Sequence, residues 1–330
     1  MKTIILGKGG PRMSQFGLGA MSFAGIYGSA SEADSHEVLD AMQAAGVSHI
    51  DTANVYGGGR SEEIVGSWLA ARPGVRDNLV IATKAGITTS GDKRFDNSAA
   101  YLEAELDGSL KRLGVDFVDL FYVHRREAEL PIEEVAGSLG RLVEKGKIGA
   151  IGFSEIAPTS LRRAHAVHPV AAVQSEYSLS VRFPELGLVQ ACADLGTVLV
   201  AFSPVGRSLL TDAPFTARQV ADIAFLATNP RFVSPNFEAN LAAVQPFLDL
   251  ARDMGEPAAA LAIAWLMAQG DHVVPIPGTK SLNHLAELVR GTALTLSEGD
   301  LIAIEAALPL GWAHGDRYTV RQWDGPEKYC

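Results

Sequence analysis

The stretch "VDLFYVHRREAELPIEEVAGSLGRLVEKGKIGAIGFS", residues 118–154, contains two short apolar runs with an amphipathic segment between them. The runs are Val118–His124 and Ile148–Ser154, and the segment between them, Ile132–Lys145, has the pattern of a helix. Strands joined through a helix pair in parallel, with a right-handed crossover. The stretch therefore predicts a strand–helix–strand unit of an α/β fold.

The same alternation extends along the whole chain and gives eight strand–helix units. The predicted strands are Gln15–Met21, Ser48–Asp51, Leu79–Lys84, Val118–His124, Ile148–Ser154, Ala171–Glu176, Thr197–Pro204 and His272–Gly278. The predicted helices are Ser31–Ala45 (with Ser31 as N-cap), Arg60–Ala71, Ser98–Leu113, Ile132–Lys145, Pro158–Val167, Phe183–Leu195, Asn236–Met254, Pro257–Ala268 and Ser281–Val289. Eight such units predict a (β/α)8 barrel, which typically needs about 250 residues.

Three additions account for the remaining length. They are an N-terminal strand pair, a long polar insert after the seventh strand, and a C-terminal helix and tail from Ser297 onward. We expect one domain over residues 1–330, since no change in composition indicates a linker. The alternative, a doubly wound open sheet, is disfavoured because no G-x-G-x-x-G motif follows the first strand.

Composition restricts the classes of function. The 330 residues carry a formal net charge of -10 with both signs interspersed, which disfavours nucleic acid or an anionic membrane as a partner. The two cysteines, Cys192 and Cys330, match neither a disulfide framework nor a metal-ligand spacing, so no metal is predicted. No run approaches the ~18 apolar residues of a spanning helix. We therefore expect a cytoplasmic protein, either a monomer or a weak homo-oligomer.

Polar residues lie at several predicted strand ends, where a barrel places its chemistry. Asp51, Lys84 and His124 end the second, third and fourth strands, and Tyr56 lies in the loop after the second. Singly, each has a structural explanation, such as a turn cap, a charged strand end or a core histidine. A lysine that ends an apolar strand is costly unless it is paired, and Asp51 on the neighbouring strand is a suitable partner.

Together these four residues suit carbonyl reduction. A neighbouring ammonium favours the phenolate form of a tyrosine, so Lys84 would make Tyr56 a better proton donor. His124 would orient and polarise the carbonyl oxygen. No side chain supplies two electrons, so a hydride-donating cofactor is required.

The chain resembles the aldo-keto reductases along essentially its whole length. The segments that carry the resemblance are "GLGAMSF", "DTANVYGGGRSEEIVGSWL", "LKRLGVDFVDLFYVHR", "LVEKGKIGAIGFSE", "QSEYSL", "FSPVGRSLLT", "NPRF" and "PIPGTKS". The resemblance implies that Asp51, Tyr56, Lys84 and His124 are catalytic. It also implies that a nicotinamide cofactor lies extended across the barrel mouth, without a Rossmann fold.

The same matching implies a set of cofactor residues. Ser154 and Gln174 would hydrogen-bond the carboxamide, and Phe202 would stack on the nicotinamide. Glu155 stands where the family usually has asparagine, and it is left unassigned. The remaining predicted cofactor residues are Met21, Ser203, Pro204, Gly206, Arg207, Gly278, Thr279, Lys280 and His284.

Lys280 and His284 match the segment that holds the adenosine 2′-phosphate. A phosphate at the N-terminus of the last barrel helix is favoured by its N–H groups and dipole, so we expect NADP rather than NAD. His284, where the family often has arginine, leaves some use of NAD open. The alternative is that Lys280 only begins an amphipathic helix.

A small carbonyl or alcohol substrate is expected to contact Phe23, Tyr27 and Arg125. An aromatic, weakly charged pocket would suit bulky apolar aldehydes or ketones, or a secondary alcohol in reverse. The tail "WAHGDRYTVRQWDGPEKYC" either packs on the barrel or brings Trp323 to the mouth, and we favour packing.

Two other classes remain open. One is a cofactor-sensing interaction subunit of the kind found in ion channels, with residual reductase activity. The other is a barrel isomerase that uses Glu176 as its base, which would leave the pairing of lysine and tyrosine unexplained.

Overall fold

The strands form one hairpin and one large parallel sheet. The computed structural model describes residues 1–89 and 92–329. Its strands are β1 (Thr3–Ile5), β2 (Arg12–Ser14), β3 (Gly17–Gly19), β4 (His49–Asp51), β5 (Val80–Ala85), β6 (Leu120–Val123), β7 (Ile151–Ser154), β8 (Val170–Glu176), β9 (Val198–Phe202) and β10 (Val273–Pro275). The first two pair in an antiparallel hairpin, whereas β3 to β10 pair in parallel in chain order. This is the predicted (β/α)8 barrel with an N-terminal strand pair.

A backbone hydrogen bond joins the two ends of the parallel sheet. The N–H of Gly19, the last residue of β3, donates to the carbonyl of Pro277 at 2.9 Å. Gly19 also faces Pro277 and Gly278 so closely that a Cβ there would lie 3.0 Å from the carbonyl oxygen of Ile276. A residue without a side chain therefore permits the close approach that nearly closes the barrel.

Helices lie between successive strands. They are α1 (Glu32–Ala44), α2 (Arg60–Ala70), α3 (Ala99–Leu113), α4 (Ile132–Glu144), α5 (Pro158–Val167), α6 (Leu188–Leu195), α7 (Ala217–Asp222), α8 (Asn236–Ala243), α9 (Gln245–Asp253), α10 (Ala258–Met267), α11 (Leu282–Gly291) and α12 (Glu298–Ala307). The hydroxyl of Ser31 accepts the N–H of Asp34 at 3.0 Å, which confirms it as the N-cap of α1. Within the described ranges, no helix has the length and apolarity needed to cross a membrane.

Three predicted elements differ from the structure. The helix predicted over Phe183–Leu195 is a 3₁₀ turn followed by α6, because Gly187 between them has a φ of 112°. The segment Asn236–Met254 forms two helices, since Pro246 lacks the N–H that would continue α8. The polar insert after the seventh barrel strand contains α7, which a capping box between Thr216 and Gln219 begins.

The apolar core has two layers. Inside the barrel, Leu6 and Met13 of the hairpin region pack against strand residues such as Leu120 and Val200, so the hairpin closes the amino end of the barrel. Between strands and helices lies the larger layer, which includes the fully buried Trp68 and Trp265. Both layers belong to the same barrel, although a single domain over residues 1–330 stays a prediction.

Candidate active site

The carboxyl ends of the barrel strands surround a cavity of about 670 Å³. Residues from the ends of most barrel strands line it, and so do residues from the insert after β9, the start of α11 and the tail. A second cavity of about 690 Å³ lies at the amino ends, beside the hairpin. There the cationic Arg76 is already paired with Asp119 at 2.9 Å, and none of the predicted site residues lines it. The first cavity is therefore the candidate site, as the position of chemistry in a barrel predicts.

Lys84 lies beneath this cavity, fully buried, and uses all three of its N–H donors. Its ammonium pairs with Asp51 and donates to the carbonyl of Thr52 at 2.7 Å and to the hydroxyl of Tyr56 at 3.3 Å. Burial alone would lower the pKa of Lys84, but the charges of Asp51 and Tyr56 and the hydrogen bonds to both together more than offset that effect, and the pKa is raised. The lysine is therefore held charged and in one orientation, with the partner that the sequence indicated.

Asp51 is held from two sides. One carboxylate oxygen pairs with Lys84, and the other accepts the side-chain N–H of Gln174 at 2.7 Å. Gln174 lies in register with Ser154 on the neighbouring strand, and both line the cavity. The side-chain carbonyl of Gln174 keeps its acceptor capacity, which a cofactor carboxamide requires.

Tyr56 and His124 face each other at the edge of the cavity, with ring centroids 5.7 Å apart and nearly perpendicular planes. Burial, helped by the charges of Arg125 and Lys84, lowers the pKa of His124 well below its usual value, so the ring is neutral. Its Nδ1 is buried without a hydrogen-bond partner among the described residues. An unprotonated nitrogen is cheaper to leave unpaired than an N–H, which favours the proton on Nε2.

Arg125 also lines the cavity, and its guanidinium lies against polar neighbours. It donates to the carbonyl of His124 at 2.7 Å, to Ser154 Oγ at 3.0 Å and to the Tyr318 hydroxyl at 3.2 Å. Ser154 accepts this bond and keeps its own hydroxyl hydrogen to donate. Arg125 thus connects the end of β6 with β7 and the C-terminal tail.

The turn after β9 brings Phe202, Ser203, Pro204 and Arg207 to the cavity. Ser203 has a φ of 53° and Arg207 a φ of 54°, values that non-glycine residues seldom adopt. Such strain collects at functional sites, where the surrounding structure holds it in place.

Two of the residues predicted along this turn differ in their exposure to the cavity. Arg207 lines the cavity, but its guanidinium donates to Glu176 at 3.0 Å, so much of its charge is already neutralised. Gly206 is buried behind the lining, where a Cβ would lie 3.1 Å from Ser180 Oγ, and it forms the turn instead of the cavity wall. Glu176, bound by this arginine, is not a free base of the kind a barrel isomerase needs.

At the other end of the cavity lie Gly278, Thr279, Lys280 and His284, around the start of α11. The Lys280 ammonium donates to the carbonyls of Tyr27 and Ser29 at 3.1 and 2.9 Å. Lys280 is exposed, so these contacts leave it accessible to an anion. It therefore joins the last barrel strand to the loop after the first.

That loop contributes Met21 and Tyr27 to the lining. The Tyr27 ring packs edge-on against Phe225 at 5.0 Å and near Phe215 at 6.4 Å, so the loop meets the insert after β9 across the cavity. Burial raises the pKa of Tyr27 to about 12, and its hydroxyl stays protonated. Phe23 corrects our prediction of a substrate contact: only 1% of it is exposed, and it packs in the core beneath the cavity.

Glu155, left unassigned from the sequence, anchors the tail. It pairs with Arg317, which also donates to Glu176 at 3.2 Å. Burial would raise the pKa of Glu155, but the charge and hydrogen bond of Arg317, the charge of Arg125 and the N–H of Glu176 together outweigh it, and the pKa is lowered. The motif "GDRY" thus carries a buried cation that sequence reasoning missed, although the glutamate in place of the family's asparagine was a signal of it.

The tail beyond this anchor packs against the barrel, the alternative that we favoured. Glu327 pairs with Arg126 at 3.2 Å and accepts the N–H of Ala157, at the start of α5, at 2.8 Å. Trp323 packs edge-on against Tyr318 and is absent from the cavity lining. Of the tail residues that the structure describes, Tyr318 and Gln322 reach the cavity, and we predicted neither.

Comparison with known proteins agrees with this geometry. The sequence pattern of the Aldo/keto reductase family matches residues 15–309. The chain is 38% identical to a probable aldo-keto reductase 1 of Glycine max, over 96% of this chain and 92% of that protein. It is 37% identical to an aldo-keto reductase of Schizosaccharomyces pombe named with NADP(+), over 94% of this chain and 93% of the other.

A solved structure agrees in fold over nearly the same length. The glycerol dehydrogenase of Gluconobacter oxydans superposes with a TM-score of 0.80 at 29% identity, covering 93% of this chain and 94% of the other. The sequence match, the relatives and the barrel all give the same assignment. This chain belongs to the aldo-keto reductase family, a family of oxidoreductases that act on carbonyls.

Proposed function

We propose that this protein is an NADPH-dependent reductase that converts aldehydes or ketones to alcohols, and that it also runs in reverse. The observation that carries the proposal is the contact of Lys84 with both Asp51 and Tyr56, directly below the cavity and beside a neutral His124. These groups supply a proton and polarise an oxygen. Among the described residues, no cluster of metal-ligating side chains is found.

Tyr56 is the proposed proton donor. Because an ammonium only donates, the Tyr56 oxygen accepts from Lys84 and keeps its own O–H for a substrate oxygen. The lysine charge stabilises the phenolate that remains after the proton is given. Asp51, held by Gln174, keeps that charge in place.

His124 is the proposed second donor to the substrate oxygen. A neutral ring with its proton on Nε2 donates a hydrogen bond without competing with Tyr56 for the role of acid. The rings of Tyr56 and His124, with centroids 5.7 Å apart, border the same part of the cavity, which supports both side chains as donors to one substrate oxygen.

The residues around the cavity fit a nicotinamide cofactor. When bound, the cofactor supplies the hydride that no side chain provides. The half-buried ring of Phe202 offers a flat face for the nicotinamide, and Ser154 and Gln174 offer a donor and an acceptor for its carboxamide.

At the far end of the cavity, the residues favour NADP over NAD. The exposed Lys280 lies beside Thr279 and the first turn of α11, whose N–H groups lack intrahelical partners. The name of the Schizosaccharomyces pombe relative agrees with this choice. Glu287 also lines this end, so the charge there is mixed and some use of NAD is compatible with it.

One assay tests the proposal. Purified protein is mixed with NADPH and a panel of aldehydes and ketones, and nicotinamide absorbance is followed for wild type, Tyr56→Phe and Tyr177→Phe. Tyr177 loses a hydroxyl outside the cavity, where it donates to Glu185 at 3.0 Å, and serves as the matched control. We expect turnover by wild type and Tyr177→Phe, and at least a hundredfold loss in Tyr56→Phe. Wild type that reduces no carbonyl would refute the proposal.

The alternative of a cofactor-sensing channel subunit finds no support in the relatives. The expected cytoplasmic location and monomeric or weakly oligomeric state stay predictions.

A further inference from the structure

The cavity beside Tyr56 and His124 contains a positive charge that the mechanism does not use. Arg125 follows His124 directly, is half-buried, and lines the cavity. Its three hydrogen bonds go to neutral acceptors, which are a backbone carbonyl and two hydroxyl oxygens. In the described ranges, no carboxylate oxygen lies within 4.0 Å of its guanidinium.

The neighbouring arginines are arranged differently. Arg207 and Arg317 share the carboxylates of Glu155 and Glu176, so that group balances two positive charges with two negative ones. Arg125 is therefore left over. A half-buried cation without an anionic partner carries a desolvation cost that an incoming anion relieves.

Two tail residues that line the cavity add hydrogen-bond donors. The Tyr318 oxygen accepts from Arg125, so its own hydrogen is available to a ligand. The side-chain oxygen of Gln322 accepts the N–H of Thr319 at 3.0 Å, which leaves its NH₂ group as a donor. Both side chains line the cavity.

No acid that lines the cavity pairs with Arg125. Three acids line the cavity. Asp51 is neutralised by Lys84, and Asp212 accepts the N–H of Ala258 at the start of α10 at 3.0 Å. Glu287 belongs to α11, at the end of the cavity where Lys280 lies. The part of the cavity next to His124 thus contains a cation without a carboxylate partner and the neutral donor Tyr318, and Gln322 lines the same cavity.

We propose that Arg125, with Tyr318 and Gln322, binds a carboxylate of the substrate, so that the preferred substrates are aldehydes or ketones that carry a carboxylate. A guanidinium has five N–H donors, of which three make the bonds described, and two remain for the planar carboxylate. This inference rests on the proposed reductase function and narrows it. It replaces the weakly charged apolar pocket that we expected from the sequence.

The experiment compares matched carbonyl substrates with and without the charge. With NADPH, kcat/KM is measured for 4-carboxybenzaldehyde against 4-formylbenzamide, and for 4-oxobutanoate against 4-oxobutanamide. Two substrate pairs, one aromatic and one aliphatic, are used so that the result does not depend on one distance between carbonyl and carboxylate. The proteins are wild type, Arg125→Met, Arg125→Lys and Tyr318→Phe.

In at least one substrate pair, we expect the wild-type kcat/KM to be about 10- to 100-fold higher for the carboxylate than for the amide, the usual effect of charged hydrogen bonds. Arg125→Met should remove that preference, measured as the ratio of kcat/KM for the carboxylate to kcat/KM for its amide partner. Arg125→Lys should restore part of it, and Tyr318→Phe, which keeps the charge, should lower it about threefold to tenfold.

The outcomes separate this inference from the function on which it rests. If wild type reduces none of the aldehydes, the proposed function fails. If wild type reduces the neutral and the charged substrate equally in both pairs, or if Arg125→Met keeps the preference, the carboxylate site is overturned, whereas the proposed reductase function is retained. If Arg125→Met instead weakens NADPH binding and slows both substrates alike, Arg125 serves the cofactor through Ser154, which also overturns the inference.

Discussion

The ammonium of Lys84 lies 3.3 Å from the hydroxyl oxygen of Tyr56 and is itself fully buried. The two residues are 28 positions apart, on β5 and on the loop after β4. Every other donor of the lysine is also occupied, by Asp51 and by the Thr52 carbonyl. The charge that acts on the tyrosine is consequently fixed in position before any substrate arrives, which is how preorganised sites gain their effect.

Replacing Lys84 with methionine should abolish most of the activity. We expect kcat to fall by about 10²- to 10⁴-fold, because Tyr56 loses the charge that stabilises its phenolate. Asp51 would be left buried with Gln174 alone, so the free energy of unfolding should fall by about 3–5 kcal/mol. Steady-state kinetics and urea unfolding measure the two effects. A folded Lys84→Met variant with wild-type kcat would contradict the role of the lysine.

The substitution Lys280→Met should weaken the binding of NADPH more than the binding of NADH. We expect the Kd for NADPH to rise about tenfold, the loss of a charged hydrogen bond, while the Kd for NADH changes less than about threefold. NADH is the matched control because it lacks the 2′-phosphate. The variant loses the contacts of Lys280 with Tyr27 and Ser29 whichever cofactor binds. Equal changes in both constants, measured by fluorescence titration, would mean that Lys280 only tethers the loop.

Glu155→Gln should loosen the C-terminal tail. Arg317 would keep Glu176 as a partner but lose the buried carboxylate of Glu155, so we expect a loss of about 3 kcal/mol in the free energy of unfolding. Cleavage by a protease within residues 312–329 should also become faster. The control is Glu103→Gln, whose carboxylate bridges Lys145 and Lys147 near the surface and should cost less than about 1 kcal/mol. Similar losses in the free energy of unfolding of the two variants would show that the pair of Glu155 and Arg317 contributes no more than a surface ion pair.

The buried His124 should make the protein less stable in mild acid. Its pKa is lowered in the folded state, so below about pH 6.5 the unfolded chain takes up a proton that the folded chain does not. The free energy of unfolding should therefore fall as pH decreases, by up to about 1.4 kcal/mol per pH unit for this group. His49 and His165 also have lowered pKa values and act in the same direction.

The variant His124→Gln isolates the contribution of one histidine. Urea unfolding between pH 7.5 and 5.5 should show a shallower pH dependence for His124→Gln than for wild type. Identical slopes would mean that His124 becomes protonated in the folded protein as readily as in the unfolded chain.

Most of the barrel could be predicted from short-range pattern. The strand at Val118–His124 and the helix at Ile132–Lys145 are visible because burial imposes a local period on apolar residues. The predicted helices were wrong where a single residue interrupts the helical backbone. Gly187 breaks one predicted helix, and Pro246 divides another.

The site was predictable to a lesser extent. Asp51 and Lys84 were paired from the sequence alone, since a charge at the end of an apolar strand requires a partner. Phe23 was misassigned because position in a loop does not reveal which way a ring points, and here it packs in the core.

The sequence by itself determined the class of fold, the order of its elements and the residue types of the proposed catalytic group, since all of these follow from local periodicity and from the chemistry of single side chains. Only the tertiary structure decided which charges are neutralised. Glu155, Glu176, Arg207 and Arg317 come from four separate segments, and their mutual pairing leaves Arg125 without a carboxylate partner among the described residues at the cavity. Electrostatic pairing depends on distances between segments remote in the chain, which no local pattern contains.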